Sequence, residues 1–341
     1  MKRQTKAIIF SLIILVGIIF IYFASLFLMP NISPKSHKKD YLYIYENATL
    51  NDVINQLQKK ADIKSINSFK RVVKLLKYKE IKSGKYEIRK GMNNFMLVRN
   101  LKNGRQTPVN LTFNNIRTKE QLAGRLSAQL MPDSIEILKL LNDSAFLSQY
   151  QLNPYTSICV FLPNSYQILW NVSAQKLFER MYNEYENFWT EDRKRLAAAI
   201  PMSQSEVVTL ASIVDSETNS EKEKPIIAGL YINRLHKNMR LQADPTVIFA
   251  IGDFSIKRVT GNYIRFDSPY NTYLHAGLPP GPIRIPMLTT IDAVLNHDKN
   301  DYIYMCAKET LNGEHNFASN WADHQKNAEK YQQALNERGI R

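Results

Sequence analysis

Cysteine is scarce in this chain: two among 341 residues, Cys159 and Cys306. Neither belongs to a CxxC pair. His236, His275, His297, His315 and His324 show no HxH or HxxxH spacing, which removes the common zinc arrangements. A Gly-rich phosphate loop, a GxSxG turn and a cysteine nucleophile in context are missing too. No metal and no organic cofactor is therefore expected. The two cysteines could pair outside the cytoplasm, but their apolar surroundings favour two buried thiols. Acidic residues are the minority, 31 Asp and Glu against 45 Lys and Arg, for a net charge of +14. The bases are scattered among acids without a dense block, which argues against nucleic acid. Anionic lipid headgroups and wall polymers suit such a charge equally well.

Charge is absent altogether from residues 7–29, a run of 23 that follows Lys2, Arg3 and Lys6. At ~1.5 Å per residue, about 20 apolar residues cross the hydrocarbon core. The basic head should stay in the cytoplasm and the rest of the chain outside it. A cleaved signal peptide would have a shorter apolar core and a small-x-small site. Leu26-Phe-Leu-Met-Pro30 is bulky instead, so an uncleaved anchor is expected. Residues 30–40, with two prolines and four basic residues, read as a solvated tether.

A weak repeat follows. Tyr43-Ile-Tyr45 leads to Thr49 and then Val53 and Leu57. Tyr86-Glu-Ile88 leads to Gly91, Leu97 and Leu101, and Leu111-Thr-Phe113 leads to Thr118, Leu122 and Leu126. Each reads as a short strand, a polar turn and an amphipathic helix. From 133 to 189 the chain should be mainly helical, with an apolar stripe of Leu177, Phe178, Met181, Tyr185, Phe188 and Trp189 as core.

Ser203-Gln-Ser-Glu206 has the spacing of a capping box and should open a helix. Val207 to Val214 are apolar nearly all round, so that helix should be buried, and Pro225 should open the next one. Glu217 then lies in the last turn. The helix dipole and a low-dielectric surround both favour its neutral acid, which suits a group that must hold a proton near neutral pH. Asp215, two residues earlier, points ~200° away. The two cannot act as facing carboxylates. The plain alternative is that Glu217 only salt-bridges Lys222 or Arg234.

Further on stand Leu241-Gln242-Ala-Asp244-Pro-Thr246, Tyr270-Asn271-Thr272-Tyr273 and the Pro/Gly-rich Gly277-Leu-Pro-Pro-Gly281-Pro-Ile283. Asp244 or Thr246 could simply cap a following helix. Tyr270 to Tyr273 combine aromatic, amide and hydroxyl groups, a usual composition for sugar binding. The proline loop must be rigid and is of the kind that shapes binding sites.

In this order, behind an anchor, Ala211-Ser-Ile-Val-Asp-Ser-Glu217-Thr218 and these later words resemble the YceG-like (MltG) endolytic murein transglycosylases. Phe161-Leu-Pro163-Asn-Ser-Tyr166 resembles a further family segment, with Asn164 and Ser165 replacing an Asp and a Thr. The Glu-Gly found upstream of it in relatives is Ile158-Cys159 here, and Ile285-Pro-Met287 departs from the family's loop ending. His315 matches a C-terminal family word that approaches the active site or makes a structural hydrogen bond.

The resemblance implies an α+β protein with Glu217 catalytic and Gln242, Asp244, Thr246, Tyr270, Asn271, Thr272 and Tyr273 binding substrate. It implies a cytoplasmic tail at 1–6, a transmembrane helix at 7–29, a linker at 30–40, a LysM-like subdomain at 41–105 and a catalytic domain at 106–341. The implied partners are peptidoglycan glycan strands, the cytoplasmic membrane and the synthases of the elongation machinery. A hydrolytic muramidase and a non-catalytic wall-binding scaffold are the alternatives.

Overall fold

In a computed structural model the chain is described over residues 2–36 and 39–339. Of the expected basic head, Met1 and the side chains of Lys2 and Arg3 lie outside the described residues, as do His37 and Lys38 of the expected tether. Two compact units emerge. One comprises residues 1–111, 129–131 and 166–172; the other takes the rest.

The first unit begins with α1 (Lys2–Leu28), whose Gln4–Leu28 stretch is long and apolar enough to cross a membrane. Then come β1 (Pro30–Pro34), β2 (Lys39–Ile44), α2 (Leu50–Lys60), β3 (Ala61–Ile63) and α3 (Ile66–Leu75). β4 (Gly84–Arg89), β5 (Met92–Asn93), α4 (Asn94–Asn103) and β6 (Val109–Thr112) follow. β1 is the centre of an antiparallel β3-β1-β5 sheet, and β2 pairs antiparallel with β4 from Lys39↔Arg89 to Ile44↔Gly84.

The solvated tether is thus overturned. Ile32 of β1 is buried in the core with Leu26 of α1, Leu42, Leu57, Phe69 and Tyr86. Asn31, also buried, donates to Asn94 Oδ1 at 2.7 Å and to the Ser65 carbonyl. Two prolines and a cluster of charges masked a strand in which Asn31 and Ile32 are both buried.

The second unit holds α5 (Lys119–Ser127), α6 (Ser134–Leu141) and α7 (Ser144–Ser148). β7 (Ser165–Ile168) pairs with β6, most of it in the first unit. α8 (Ala174–Phe188), α9 (Glu191–Ala199), α10 (Gln204–Glu217), α11 (Lys224–His236), α12 (Asp244–Ile251) and α13 (Leu288–Leu295) come next. The antiparallel pair β8 (Tyr304–Ala307) and β9 (His315–Ala318) precedes α14 (Trp321–Glu337).

The three repeated modules form as the sequence suggests. Thr49, Asn93 and Thr118 cap α2, α4 and α5, and Val53/Leu57, Leu97/Leu101 and Leu122/Leu126 are buried one turn apart. The third module's strand lies mostly in the first unit and its helix in the second. α10 carries the expected reciprocal capping box between Ser203 and Glu206 and is buried from Val207 to Asp215. Two glycines allow close packing around it. A Cβ on Gly229 of α11 would lie 2.2 Å from the Asp298 carbonyl oxygen, and one on Gly281 would lie 2.1 Å from that of Tyr155. The proline loop is tied to α10 where the Ile283 amide donates to Ser212 Oγ at 3.0 Å.

Candidate active site

Glu217 is the last residue of α10 and lines a cleft of about 390 Å³. Its Oε1 accepts a 2.7 Å hydrogen bond from the Tyr231 hydroxyl of α11. Burial is the main reason that its carboxyl is pushed up to about 7. The bond from Tyr231 opposes the rise, Asp244 adds to it, and His315 and Arg234 oppose it. Neither Lys222 nor Arg234 bonds to it. The Arg234 guanidinium instead donates to the carbonyls of Ile303, Arg240 and Leu241, at 2.7, 3.1 and 2.8 Å. A buried cation satisfied by neutral oxygens leaves its charge available to the cleft.

Asp215 faces elsewhere. It is buried and accepts from Lys224 Nζ at 3.0 Å and Thr290 Oγ1 at 2.6 Å, with Arg284 Nε 3.5 Å away. This network ties α10 to α11 and α13. Beside it, the residue after Glu217, Thr218, donates to Glu223 at 3.1 Å. Glu223 also receives the His315 amide, with His315 Nδ1 3.0 Å from its other oxygen. That braces β9 against the end of α10.

The expected substrate residues divide. Gln242, Asp244 and Tyr273 line the cleft with Glu217. Gln242 sits at φ 50°, a left-handed conformation that costs a non-glycine residue about 1 kcal/mol or more. Asp244 Oδ1 accepts from the Tyr273 hydroxyl at 2.6 Å, and burial raises its pKa. Neither Asp244 nor Thr246 caps α12, whose cap position is Ala243 without a side-chain bond.

Thr246, Asn271 and Thr272 are buried and serve the backbone. Thr246 donates to the Ala243 carbonyl and meets Thr272 Oγ1 at 2.8 Å, and Thr272 Oγ1 accepts the Ala243 amide. Asn271 donates to the carbonyls of Ile264 and Phe266. Tyr270 packs on Phe249, with ring centroids 4.7 Å apart, and is not part of the cleft lining. A hydroxyl-rich motif has the same composition whether it lines a groove or satisfies a turn.

One correction bears on the chemistry. On α10 itself Glu217 has no second acid on its face, but the cleft receives one from α12, Asp244. The cleft also has a wall that the sequence did not reveal. Tyr304 and Cys306 of β8 and Trp321 and His324 of α14 line it, and the Tyr304 ring stacks on His324 at 5.1 Å. Trp321 is 56% exposed, a flat apolar face open to ligand. Cys306 and Cys159 are both free; Cys159 is buried and its thiol is pushed up to about 12, while Cys306 is half-exposed. Among the described residues no three His, Cys, Asp or Glu side chains group as metal ligands.

A larger cavity, about 630 Å³, opens at the other end of α10 beside Tyr150, Tyr182 and Pro279. Its carboxylate on α10, Glu206, is already bonded to the amide and hydroxyl of Ser203. Proton chemistry therefore favours the cleft at Glu217.

The chain belongs to the YceG-like family, whose model matches residues 42–330. It is 28% identical to the endolytic murein transglycosylase of Bacillus subtilis, over 95% of this chain and 93% of that protein. The endolytic murein transglycosylase of Streptococcus pneumoniae is 26% identical over 96% of this chain, which spans 66% of the pneumococcal protein. A crystal structure of a YceG-like protein from Listeria monocytogenes superposes with a TM-score of 0.54 at 28% identity, covering 85% of this chain and 99% of that one.

Proposed function

We propose that this protein is a membrane-anchored lytic transglycosylase that cleaves peptidoglycan strands between N-acetylmuramic acid and N-acetylglucosamine. The observation that carries the reading is a carboxyl held near pKa 7 in a polar, aromatic-walled cleft, together with the activity for which the relatives are named. Glu217 gives its proton to the glycosidic oxygen as the bond to the muramic anomeric carbon breaks. Its carboxylate then takes the proton from that sugar's C6 hydroxyl, whose oxygen bonds to the anomeric carbon and closes a 1,6-anhydro ring. The proton is returned and no water is consumed. Asp244, beside it in the cleft, raises the Glu217 pKa and is placed to stabilise the positive charge that develops on the sugar ring. Trp321 offers a stacking face.

Residues 7–29 anchor the chain with its N-terminus in the cytoplasm, so that the cleft works outside the membrane and limits the length of strands made by nearby synthases. A reporter fused after Arg341 should be active only outside the cytoplasm; cytoplasmic activity would remove the substrate from reach.

Asp244 also supports a second reading, because a second carboxylate in the cleft is what water activation in a muramidase would need. Mass spectrometry of the products separates the two. Long uncrosslinked strands digested by the purified chain in EDTA should yield anhydro ends inside a falling length distribution. Ends ~18 Da heavier mean hydrolysis. Disaccharides from the outset mean an exo-acting enzyme, and no cleavage by well-folded protein favours the scaffold.

A further inference from the structure

The positive charge looks scattered along the sequence but is divided sharply by the fold. Residues 30–111 carry 18 Lys and Arg against 6 Asp and Glu, a net +12, whereas residues 112–341 carry 24 against 25, a net −1. Among the described residues of that basic stretch, only Lys60 and Arg89 form ion pairs. The charge is therefore largely unneutralised by the protein itself.

Three contacts fix how this stretch meets α1. The Lys64 amide donates to the Asn31 carbonyl just past α1. Asn94 links the Leu26 carbonyl to Ser68 Oγ. Arg71 Nη1 donates to the Tyr22 hydroxyl at 2.6 Å. As the chain runs from Lys64 into α3 and on through Ser68 and Arg71, the levels it meets step back from Asn31, just past α1, to Leu26 (through Asn94) and then Tyr22 of α1. α3 thus runs antiparallel to α1, towards the membrane.

Counting ~20 residues from Ala7 puts the outer edge of the hydrocarbon near Leu26. Ser68, level with Leu26, is then at that edge, Arg71, bonded to Tyr22, lies up to ~6 Å inside it, and Leu75, a further turn along, is deeper still. Leu75 is on the same face as Ser68 and Arg71 and is 49% exposed. On neighbouring α4, Met96 is 42% exposed, and Phe95 packs on Phe27 of α1 at 5.8 Å. Lys64, Ser68 and Arg71 line a cavity of about 270 Å³ with Ser25 and Met29.

We infer that the end of α3 and the start of α4 lie in the outer headgroup layer, with Lys64, Arg71 and Lys74 binding phosphates of anionic phospholipids. Leu75 and Met96 enter the acyl boundary, and Arg71, held to the Tyr22 hydroxyl, meets the phosphates from beneath the headgroups. This rests on the anchor reading above. The consequence is a first unit pressed flat on the membrane rather than one swinging on a tether.

The test uses the full chain in nanodiscs of phosphatidylcholine, alone or enriched in phosphatidylglycerol. An environment-sensitive dye is placed on Leu75→Cys in a Cys306→Ser background, Cys159 being fully buried. A parallel dye on Asn55→Cys of α2, a helix that packs on β2 and β3, serves as reference. The Leu75 dye should shift to the blue and be quenched by headgroup-level spin-labelled lipid as phosphatidylglycerol rises, and high salt should reverse both. The Asn55 dye should stay water-like. Neutralising the exposed Lys64→Gln and Lys74→Gln should weaken the lipid dependence about fivefold for each lysine.

A water-like Leu75 dye in protein that co-elutes with the nanodiscs overturns the docking and leaves the anchor standing. Protein that does not co-elute removes the anchor and the docking together. A shift that requires an added anionic wall polymer assigns the face to that polymer and overturns the lipid proposal.

Discussion

Tyr231 points its hydroxyl at Glu217 Oε1 from 2.7 Å, across the junction of two buried helices. The bond favours the ionised carboxylate, while burial and Asp244 favour the neutral acid. Glu217 therefore sits between opposing influences, at a value from which it can both give and take a proton near neutral pH.

Replacing that carboxyl is the most direct test of its role. Glu217→Gln keeps size and polarity but has no acidic proton, so strand cleavage should fall ~100-fold or more with the fold unchanged by circular dichroism. Cleavage at the wild-type rate would remove Glu217 from the mechanism.

Asp215→Asn should behave differently. The substitution leaves Lys224, itself buried, with only the largely exposed Glu221 as a paired counter-charge. A loss of about 3 kcal/mol in stability is expected, read as a lower thermal midpoint. Unchanged stability with abolished turnover would instead put Asp215 into the chemistry.

The pH profile should follow the carboxyl. Cleavage requires the protonated form, so kcat/KM should fall as pH rises through about 7. Tyr231→Phe removes an influence that lowers the pKa and should move this limb to higher pH. Asp244→Asn removes one that raises it and should move the limb to lower pH. Shifts in one direction for both variants would contradict the electrostatic account.

Stability carries the same signature. The folded-state pKa of Glu217 lies above the ordinary glutamate value of 4.5, so the folded protein binds this proton more tightly than the unfolded chain. Its contribution is most favourable below that value and declines by up to about 3 kcal/mol as pH climbs to 7, then levels off. Denaturant unfolding of wild type and Glu217→Gln across this window should show the decline only in wild type.

Glycine substitutions offer a test of packing. Gly281→Ala must push a Cβ into the Tyr155 carbonyl and should cost about 1–3 kcal/mol. Gly124 on α5 has nothing within 4 Å of a new Cβ and an ordinary helical backbone. Gly124→Ala should therefore stabilise by about 0.5–1 kcal/mol. Equal effects in thermal unfolding would mean that the loop yields freely at Gly281.

By itself the sequence determined what is local. The charge-free run made α1, the capping box at Ser203 and Glu206 started α10, and the apolar run buried it and left Glu217 at its end. The three strand–turn–helix modules followed from caps and from apolar residues one turn apart, all within a few residues of each other. Tertiary structure alone decided which polar groups meet. Tyr231 reaches Glu217 from 14 positions away, Asp244 joins Tyr273 across 29, and His315 meets Glu223 across 92. It also turned the proline-bearing tether into a central strand and buried Thr246, Asn271 and Thr272, which sequence had offered as ligand contacts. Side-chain chemistry is the same in a groove and in a buried turn. Packing fixes which backbone groups have lost water, and so which hydroxyls and amides must satisfy them and which remain free for a substrate.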